Sequence, residues 1–265
     1  MMYFSNKVIW ITGASSGIGK ALALELSKQN CKLILSSRNK ESLELVKSEC
    51  KNPQHIAVIP LDLEKYSSLK LKADEALFVF GTIDILINNG GISQRSLVEH
   101  TNIDVDKRIM DINYLGTVAL SKAILPHFII NKSGQFVVTS SIVGKIGTPL
   151  RSSYVASKHA LHGFFDSLRA ENHKNNIAVT LICPGFINTN VSKNALTGNG
   201  TPQGKVDVAT GNGMSPERCA KRMLKAIKNK KEEVYIAGVK EKLGVHVKRF
   251  FPKLFSVLVR KIRVT

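Results

Sequence analysis

The sequence predicts an α/β fold: a single doubly wound domain with a central parallel sheet of about seven strands and helices on both faces. Three observations predict it. Seven short β-branched runs recur along the 265 residues, and helical segments separate most of them. The runs are apolar throughout rather than alternating, as expected of parallel strands covered on both faces. The length and a hydrophobic content of 43% suffice for one substantial core.

The first strand is expected at Val8–Thr12 and runs into a glycine-rich turn, followed by a helix from Gly17 to Gln29 with Ile18, Leu22 and Leu26 on one face. Further strands are expected at Lys32–Ser36, His55–Pro60, Ile83–Asn88, Gln135–Ser140, Ile177–Cys183 and Glu233–Ala237. Right-handed crossovers bring all the strand carboxyl ends to one edge, where ligands bind near the switch in strand order. Residues 186–213 break the rhythm. They are polar, carry Gly198, Gly200, Gly204, Gly211 and Gly213, and follow a strand, so they are expected to overhang the ligand edge as a lid. Ser215-Pro216-Glu217 restarts a helix with an N-cap, a proline at N1 and an early acid. The expected division is a main domain over 1–238 and a basic amphipathic extension over 239–265.

The stretch Trp10 to Lys20, WITGASSGIGK, admits two chemistries. Its G-x-S-x-G spacing matches a nucleophile turn with Ser15 at its tip, which needs a downstream acid and histidine. His173 and His246 are candidates for the histidine, and no carboxylate is singled out to orient either. The alternative is a dinucleotide cradle. Among Gly13, Gly17 and Gly19, one allows the tight turn, another the approach of pyrophosphate to backbone, and the third close helix–strand contact, while the helix N-terminus faces the anion.

Other segments share an order with this loop. Thr12 to Gly19 resembles the T-G-x-x-x-G-I-G fingerprint of the short-chain dehydrogenases/reductases. INNGG at 87–91 is similar to that family's N-N-A-G segment, with Gly90 where alanine is usual; the smaller residue is expected to loosen packing near the ribose. Asn113 in DINYLG, Ser141, the Tyr154-x-x-x-Lys158 pair and CPGFINT at 183–189 complete the resemblance over about residues 8–190. It implies a Rossmann domain and interconversion of a carbonyl and a secondary alcohol by hydride transfer. It further implies that Tyr154 is the acid/base, that Ser141 polarises the carbonyl, and that Asn113 anchors a water leading to Lys158. Lys158 and Tyr154 lie one helical turn apart, so the ammonium is expected to lower the phenol pKa from about 10; by resemblance Lys158 also holds the nicotinamide ribose. The implied cofactor contacts are Gly13, Ser15, Ser16, Gly17, Ile18, Gly19, Ser37, Arg38, Asp62, Leu63, Asn89, Gly90, Tyr154, Lys158, Pro184, Gly185 and Thr189. Asp62 serves equally well as a cap for the next helix.

After the second strand, Ser37-Arg38 replaces the acidic residue that selects NAD. A guanidinium pairs with a 2′-phosphate, so NADP(H) is expected over NAD(H), with reduction as the working direction. The family commonly forms dimers or tetramers, so a homodimer or homotetramer is expected.

The net charge of +18 is uneven: residues 239–265 hold eight Lys/Arg against one Glu. Within 245–265, Phe251, Leu254, Phe255, Leu258 and Ile262 fall at helical spacing, among Lys253, Arg260, Lys261 and Arg263. This stripe either packs on the body or another subunit or contacts an anionic membrane face; with the long substrate loop it resembles a membrane-associated subgroup of the family, a resemblance that implies an apolar, lipid-like substrate. Two rival classes are a non-catalytic dinucleotide-binding regulator and a basic protein that binds nucleic acid. An intact Ser/Tyr/Lys set argues against the first, and the lack of a recognisable reader motif against the second. No signal-peptide pattern precedes the first strand, and no apolar run approaches the roughly 20 residues of a membrane span. The four cysteines lie outside C-x-x-C pairs and metal spacing. Reduced thiols, no metal and a cytoplasmic protein with peripheral membrane contact are therefore expected.

Overall fold

In the computed structural model, which describes residues 3–261, strands and helices alternate along the chain. The strands are β1 (Val8–Thr12), β2 (Lys32–Ser36), β3 (Ile56–Val58), β4 (Ile85–Asn88), β5 (Gly134–Thr139), β6 (Ile177–Pro184) and β7 (Glu233–Ile236). The helices are α1 (Gly17–Leu26), α2 (Lys40–Glu49), α3 (Leu69–Phe80), α4 (Ile103–Met110), α5 (Thr117–Ile130), α6 (Ser152–Glu171), α7 (Val208–Gly211), α8 (Pro216–Lys228), α9 (Val239–Phe250) and α10 (Pro252–Val259). All seven strands pair in one parallel sheet in the order β3-β2-β1-β4-β5-β6-β7.

The period-2 geometry of each strand divides the core into two layers. Ile9, Ile11, Leu33, Leu35, Ile87 and Val137 face one way, against α1, α2 and α8. Trp10, Ile34, Leu86, Phe136 and Val138 face the other way, against α3, α5 and α6. The polar edge of Trp10 is satisfied: its Nε1 donates to Ser36 Oγ at 2.8 Å, and Ser36 Oγ donates to the Ile59 carbonyl at 2.6 Å. The chain leaves β1 toward β2 on one side and returns to β4 on the other, and the main cleft opens at the carboxyl ends beside this reversal.

Several boundaries differ from expectation. β3 loses His55 to the 3-10 turn Pro53–His55 before it and ends at Val58, two residues before Pro60. β4 starts at Ile85 because the Asp84 carboxylate is engaged by the Val8 amide at 2.8 Å. α1 stops at Leu26, where Ser27 turns its hydroxyl to the Leu24 carbonyl at 2.9 Å. Residues 186–213 border the cleft through Ile187, Thr189, Val191, Leu196 and Pro202 and are folded onto the body. They contain α7 and are pinned by bridges pairing Gln94 with Leu196 and Ile187 with Met214. They are held further by Asp207, which accepts from Arg95 Nε at 2.8 Å and from Gln203 Nε2 at 2.9 Å, with Arg151 3.6 Å away.

The extension forms two helices rather than one stripe, α9 and α10, separated at Phe251–Pro252, where proline cannot continue the first. Phe255 is buried with Ile142, Ile146, Cys183 and Ala237, whereas Phe250, Phe251, Leu254, Val257 and Leu258 remain exposed. Ile262 and Arg263 lie outside the described residues. Among the described residues no helix is long and apolar enough to cross a membrane. All four cysteines are buried and free.

Asp207 and Arg95 are almost wholly buried, so removing the carboxylate leaves an uncompensated cation. Burial pushes the Asp207 carboxyl up, but the bonds from Arg95 and Gln203 and the charges of Arg95 and Arg151 outweigh it and hold its pKa below the ordinary value. Its stabilising contribution is therefore complete at neutral pH and fades only as acid protonates it. Asp207→Ala is expected to cost about 3–5 kcal/mol by denaturant unfolding and to open residues 186–213 to limited proteolysis.

Candidate active site

The site is built where β1, β4, β5 and β6 end. After Thr12 the chain turns through Gly13 (φ 65°) and Gly17 (φ 52°), a backbone region where glycine is favoured. At Gly19 the constraint is contact rather than φ: a Cβ there would stand 2.1 Å from the Gly13 carbonyl oxygen, so only glycine lets α1 close on the loop. Ser16 precedes α1 without a side-chain cap bond, which leaves the first-turn amides directed at the cleft for an anion.

Thr12 and Asn89 tie this loop to the neighbouring strands. Thr12 Oγ1 accepts from the Asn89 and Gly90 amides, each at 3.0 Å. Asn89 Nδ2 donates to the Thr12 carbonyl at 3.2 Å, and Asn89 Oδ1 accepts from Thr139 Oγ1 at 3.3 Å. Packing at Gly90 is close, contrary to expectation: a Cβ there would approach Leu63 Cδ1 at 2.8 Å, so the leucine fills the space an alanine methyl would take.

A cleft of about 680 Å3 runs from this loop to the end of α6. Of the expected cofactor contacts, Gly13, Ser15, Ser16, Gly17, Ile18, Ser37, Arg38, Asp62, Leu63, Asn89, Gly90, Tyr154, Lys158, Pro184, Gly185 and Thr189 line it, and Gly19 lies behind the loop. At the far end from Tyr154, Arg38 is exposed and Ser37 Oγ donates to the Asn39 carbonyl at 3.3 Å. Asp62 Oδ1 accepts from the Glu64 amide at 3.1 Å, a turn bond made while the residue also borders the cleft. Asn39 and Arg108 border this end as well, and no linear motif announced them.

α6 carries Tyr154 and Lys158 on one face, and Ser141 follows β5. Lys158 is 4% exposed; its Nζ donates to the Thr139 carbonyl at 2.8 Å and lies 5.7 Å from the Tyr154 ring centroid. Burial lowers its pKa to about 8. Burial likewise raises the Tyr154 phenol above its ordinary value, opposed by the charge of Arg151, the bond with Ser141 and the charge of Arg95. The two arginines therefore favour the phenolate, and Lys158 Nζ, bonded once to the Thr139 carbonyl beside the Tyr154 ring, keeps two further donors. Ser141 Oγ donates to the Pro184 carbonyl at 3.4 Å and accepts from the Val143 amide at 3.3 Å.

Asn113 sits in a π-helical segment, Asp111–Gly116, joining α4 to α5. Its Oδ1 accepts from the Ile92 amide at 2.8 Å, and its Nδ2 donates to the Ile92 carbonyl at 2.9 Å and to Ser157 Oγ at 3.0 Å. A Cβ at Gly91 would fall 2.9 Å from Asn113 Oδ1 and 3.6 Å from Lys158 Nζ, so the bare glycine backbone separates these two side chains. Widened turns of this kind recur at functional sites.

The nucleophile reading of Ser15 gains no partner. His173 pairs its Nδ1 with the Ala170 carbonyl at 3.2 Å, His246 is exposed on α9, and neither borders the cleft. Sequence reasoning missed Thr139, Arg95 and Arg151. Thr139 acts on Lys158 through its backbone carbonyl, which no side-chain pattern reveals, and the arginines are placed by the folding of residues 186–213.

The profile of the short chain dehydrogenase family matches residues 7–200. A dehydrogenase/reductase SDR family protein 7-like of Anopheles gambiae is 45% identical over 265 residues, covering 98% of this chain and 84% of that protein. The dehydrogenase/reductase SDR family member 7B of Bos taurus is 42% identical, covering 97% of this chain and 81% of that one. The fold matches a short-chain dehydrogenase/reductase from Burkholderia phymatum solved in complex with NAD, at a TM-score of 0.84 and 20% identity over 96% of each chain. With a seven-stranded parallel sheet, a glycine loop at its switch point and relatives of this similarity, the chain belongs to the short-chain dehydrogenase/reductase family of oxidoreductases.

Proposed function

We propose that the protein is an NADP(H)-dependent reductase that converts an apolar, lipid-like carbonyl compound to its secondary alcohol. The observation that carries this reading is a single cleft bordered by the glycine loop and Arg38 at one end and by Ser141, Tyr154 and Lys158 at the other. A nicotinamide dinucleotide fits the residues present, since the loop would be filled by a Cβ at Gly13 or Gly19 and the first-turn amides of α1 face the cleft. When bound, it supplies the hydride.

The chain's own residues do the rest. The loop from Gly13 to Ile18 receives the pyrophosphate, and Arg38 with Ser37 receives a 2′-phosphate. Ser141 turns its hydroxyl from the Pro184 carbonyl to the substrate oxygen and polarises the carbonyl. Tyr154 gives its phenolic proton to that oxygen as negative charge develops there. Burial keeps the phenol protonated at neutral pH, as a proton donor requires, and the charges of Arg151 and Arg95 ease its release. Lys158, as an ammonium below about pH 8, offers donors to the ribose while keeping its bond to Thr139. Asn113 fixes the Ile92 segment that borders the substrate side. The walls there are Ile92, Ile187, Val191, Leu196 and Pro202, which suit an apolar substrate.

A second feature bears on where such a substrate comes from. Exposed Phe250, Phe251, Leu254 and Leu258 stand among Lys248, Arg249, Lys253, Arg260 and Lys261 on the α9–α10 pair, which packs on the segment after Ser141. Apolar side chains ringed by cations match an anionic lipid surface, and we assign the pair to peripheral contact with one. The rival occupant is a second copy of the chain.

Tyr154→Phe is expected to lose NADPH-dependent reduction of a carbonyl panel by at least about 100-fold while cofactor binding by fluorescence is retained; equal rates in both proteins reject the assignment. Arg38→Glu is expected to weaken kcat/KM for NADPH by about 10- to 100-fold and to leave NADH use nearly unchanged; a parallel fall in both would show that Arg38 does not read the 2′-phosphate. The full chain should sediment with anionic vesicles, and a variant with Phe250, Phe251, Leu254 and Leu258 replaced by serine should not. A vesicle-free mass that falls from oligomer to monomer in that variant assigns the patch to self-association instead.

A further inference from the structure

Behind the cleft lies a polar cluster that the proposed chemistry does not use. α6 presents Tyr154, Lys158 and His162 at i, i+4 and i+8, on one face. The first two reach the cleft. His162, 6% exposed, reaches beneath the turn that carries Ser141. Its Nε2 lies 3.0 Å from Ser140 Oγ and 3.7 Å from Cys183 Sγ. Its Nδ1 faces Glu233 Oε2 at 3.4 Å. Glu233, on β7, is itself held by Lys145 Nζ at 2.7 Å and by the Tyr235 hydroxyl.

The cluster has the outline of a Ser–His–Glu triad, but its serine is not placed to attack anything. Ser140 is 2% exposed, and its hydroxyl is occupied by His162 and by the Lys158 carbonyl at 3.3 Å. What the hydroxyl does instead is join α6 to the end of β5. Ser140 is flanked by Thr139, whose carbonyl receives Lys158 Nζ, and by Ser141. Its amide donates to the Ile182 carbonyl at 2.8 Å. The fit leaves no slack: a Cβ at Gly144 would stand 2.5 Å from Ser140 Oγ and 3.0 Å from His162 Nε2.

We propose that His162 is a positioning residue: braced by Glu233, it fixes Ser140 and thereby sets Ser141 and the Thr139 acceptor of Lys158 relative to Tyr154. The carboxylate of Glu233 can only accept, so Nδ1 carries a proton toward it in an electrostatic contact rather than a formed hydrogen bond, and Nε2 accepts from the Ser140 hydroxyl, whose one proton is shared with the Lys158 carbonyl. Burial would raise the Glu233 carboxyl, but contacts with His162, Lys145 and Tyr235 lower it to about 2, so the brace keeps its charge throughout the neutral range. The inference rests on the oxidoreductase reading of Ser141, Tyr154 and Lys158. It is specific in geometry, because the ring must deliver Nε2 and not only fill space.

The test uses His162→Gln, whose amide oxygen can take the accepting place of Nε2, His162→Asn, which reaches only the place of Nδ1, and His162→Leu, which fills volume without polar atoms. Amide hydrogen exchange over residues 140–144 in the cofactor-free protein reports positioning, and NADPH-dependent carbonyl reduction reports its effect. His162→Leu and His162→Asn are expected to speed exchange there and to lower kcat by about 10-fold with KM for the carbonyl little changed, and His162→Gln to restore both. Glu233→Gln, at the far side of the ring, should give a smaller loss of kcat in the same direction. Wild-type exchange and kcat in His162→Leu overturn the proposal, as does an equal loss in all three variants in proportion to lowered thermal stability. Altered exchange with unchanged kcat overturns it too. Absence of turnover in the wild type would sink the parent reading, whereas a full kcat in His162→Leu sinks only this one.

Discussion

The bond from Lys158 Nζ to the Thr139 carbonyl is the join on which the site depends. An ammonium almost fully withdrawn from water is costly unless its donors are engaged, and here the engaged partner is the last residue of β5. That requirement brings α6 down onto the sheet edge, and Tyr154 one turn earlier is brought with it. Right-handed crossovers decide which edge this is, so the glycine loop after β1 and the serine after β5 open into the same cleft. The arrangement follows from topology first and from side chains second.

The strand ends pay for their exposure to a ligand site with a dense set of polar contacts. Thr12, Asn89 and Thr139 link three strand termini through side-chain and backbone bonds, and Ser140, His162 and Glu233 link a fourth and fifth element behind them. Buried polar contacts of this kind hold the strand ends in one geometry. They also explain why residues 186–213 are ordered against the body: Asp207 collects Arg95, Gln203 and Arg151 at a single carboxylate, and the same two arginines bear on the phenol of Tyr154. The wall formed by residues 186–213 and the electrostatics of the Tyr154 phenol thus share one ion cluster.

Much of this was legible in the chain itself. The apolar five-residue runs at β1 and β2 place those strands to the residue, because burial on both faces leaves no ambiguity of period. The glycine loop and the Tyr154–Lys158 spacing are local patterns, so linear reading finds them. What it misses acts across the fold. Arg95 and Asp207 are 112 positions apart, and nothing near either announces the other. The π-helical segment around Asn113 looks like ordinary helix in sequence, since one extra residue per turn changes no periodicity over six positions. His162 continues the Tyr154–Lys158 interval, but its meaning lies in Glu233 on a different strand. Pro252 opens α10, the place in a first turn that proline suits, whereas α9 before it had no such signal.

The four thiols are all enclosed, and burial lifts Cys31 to about 11 and Cys183 and Cys219 to about 12, with Cys50 also raised. Since the thiolate is the reactive form, only on the order of one Cys31 in ten thousand is nucleophilic at pH 7. Thiol-directed alkylation of the folded chain is therefore expected to be slow. Sulfur here is packing material, and electron traffic through the protein is left to whatever dinucleotide occupies the cleft.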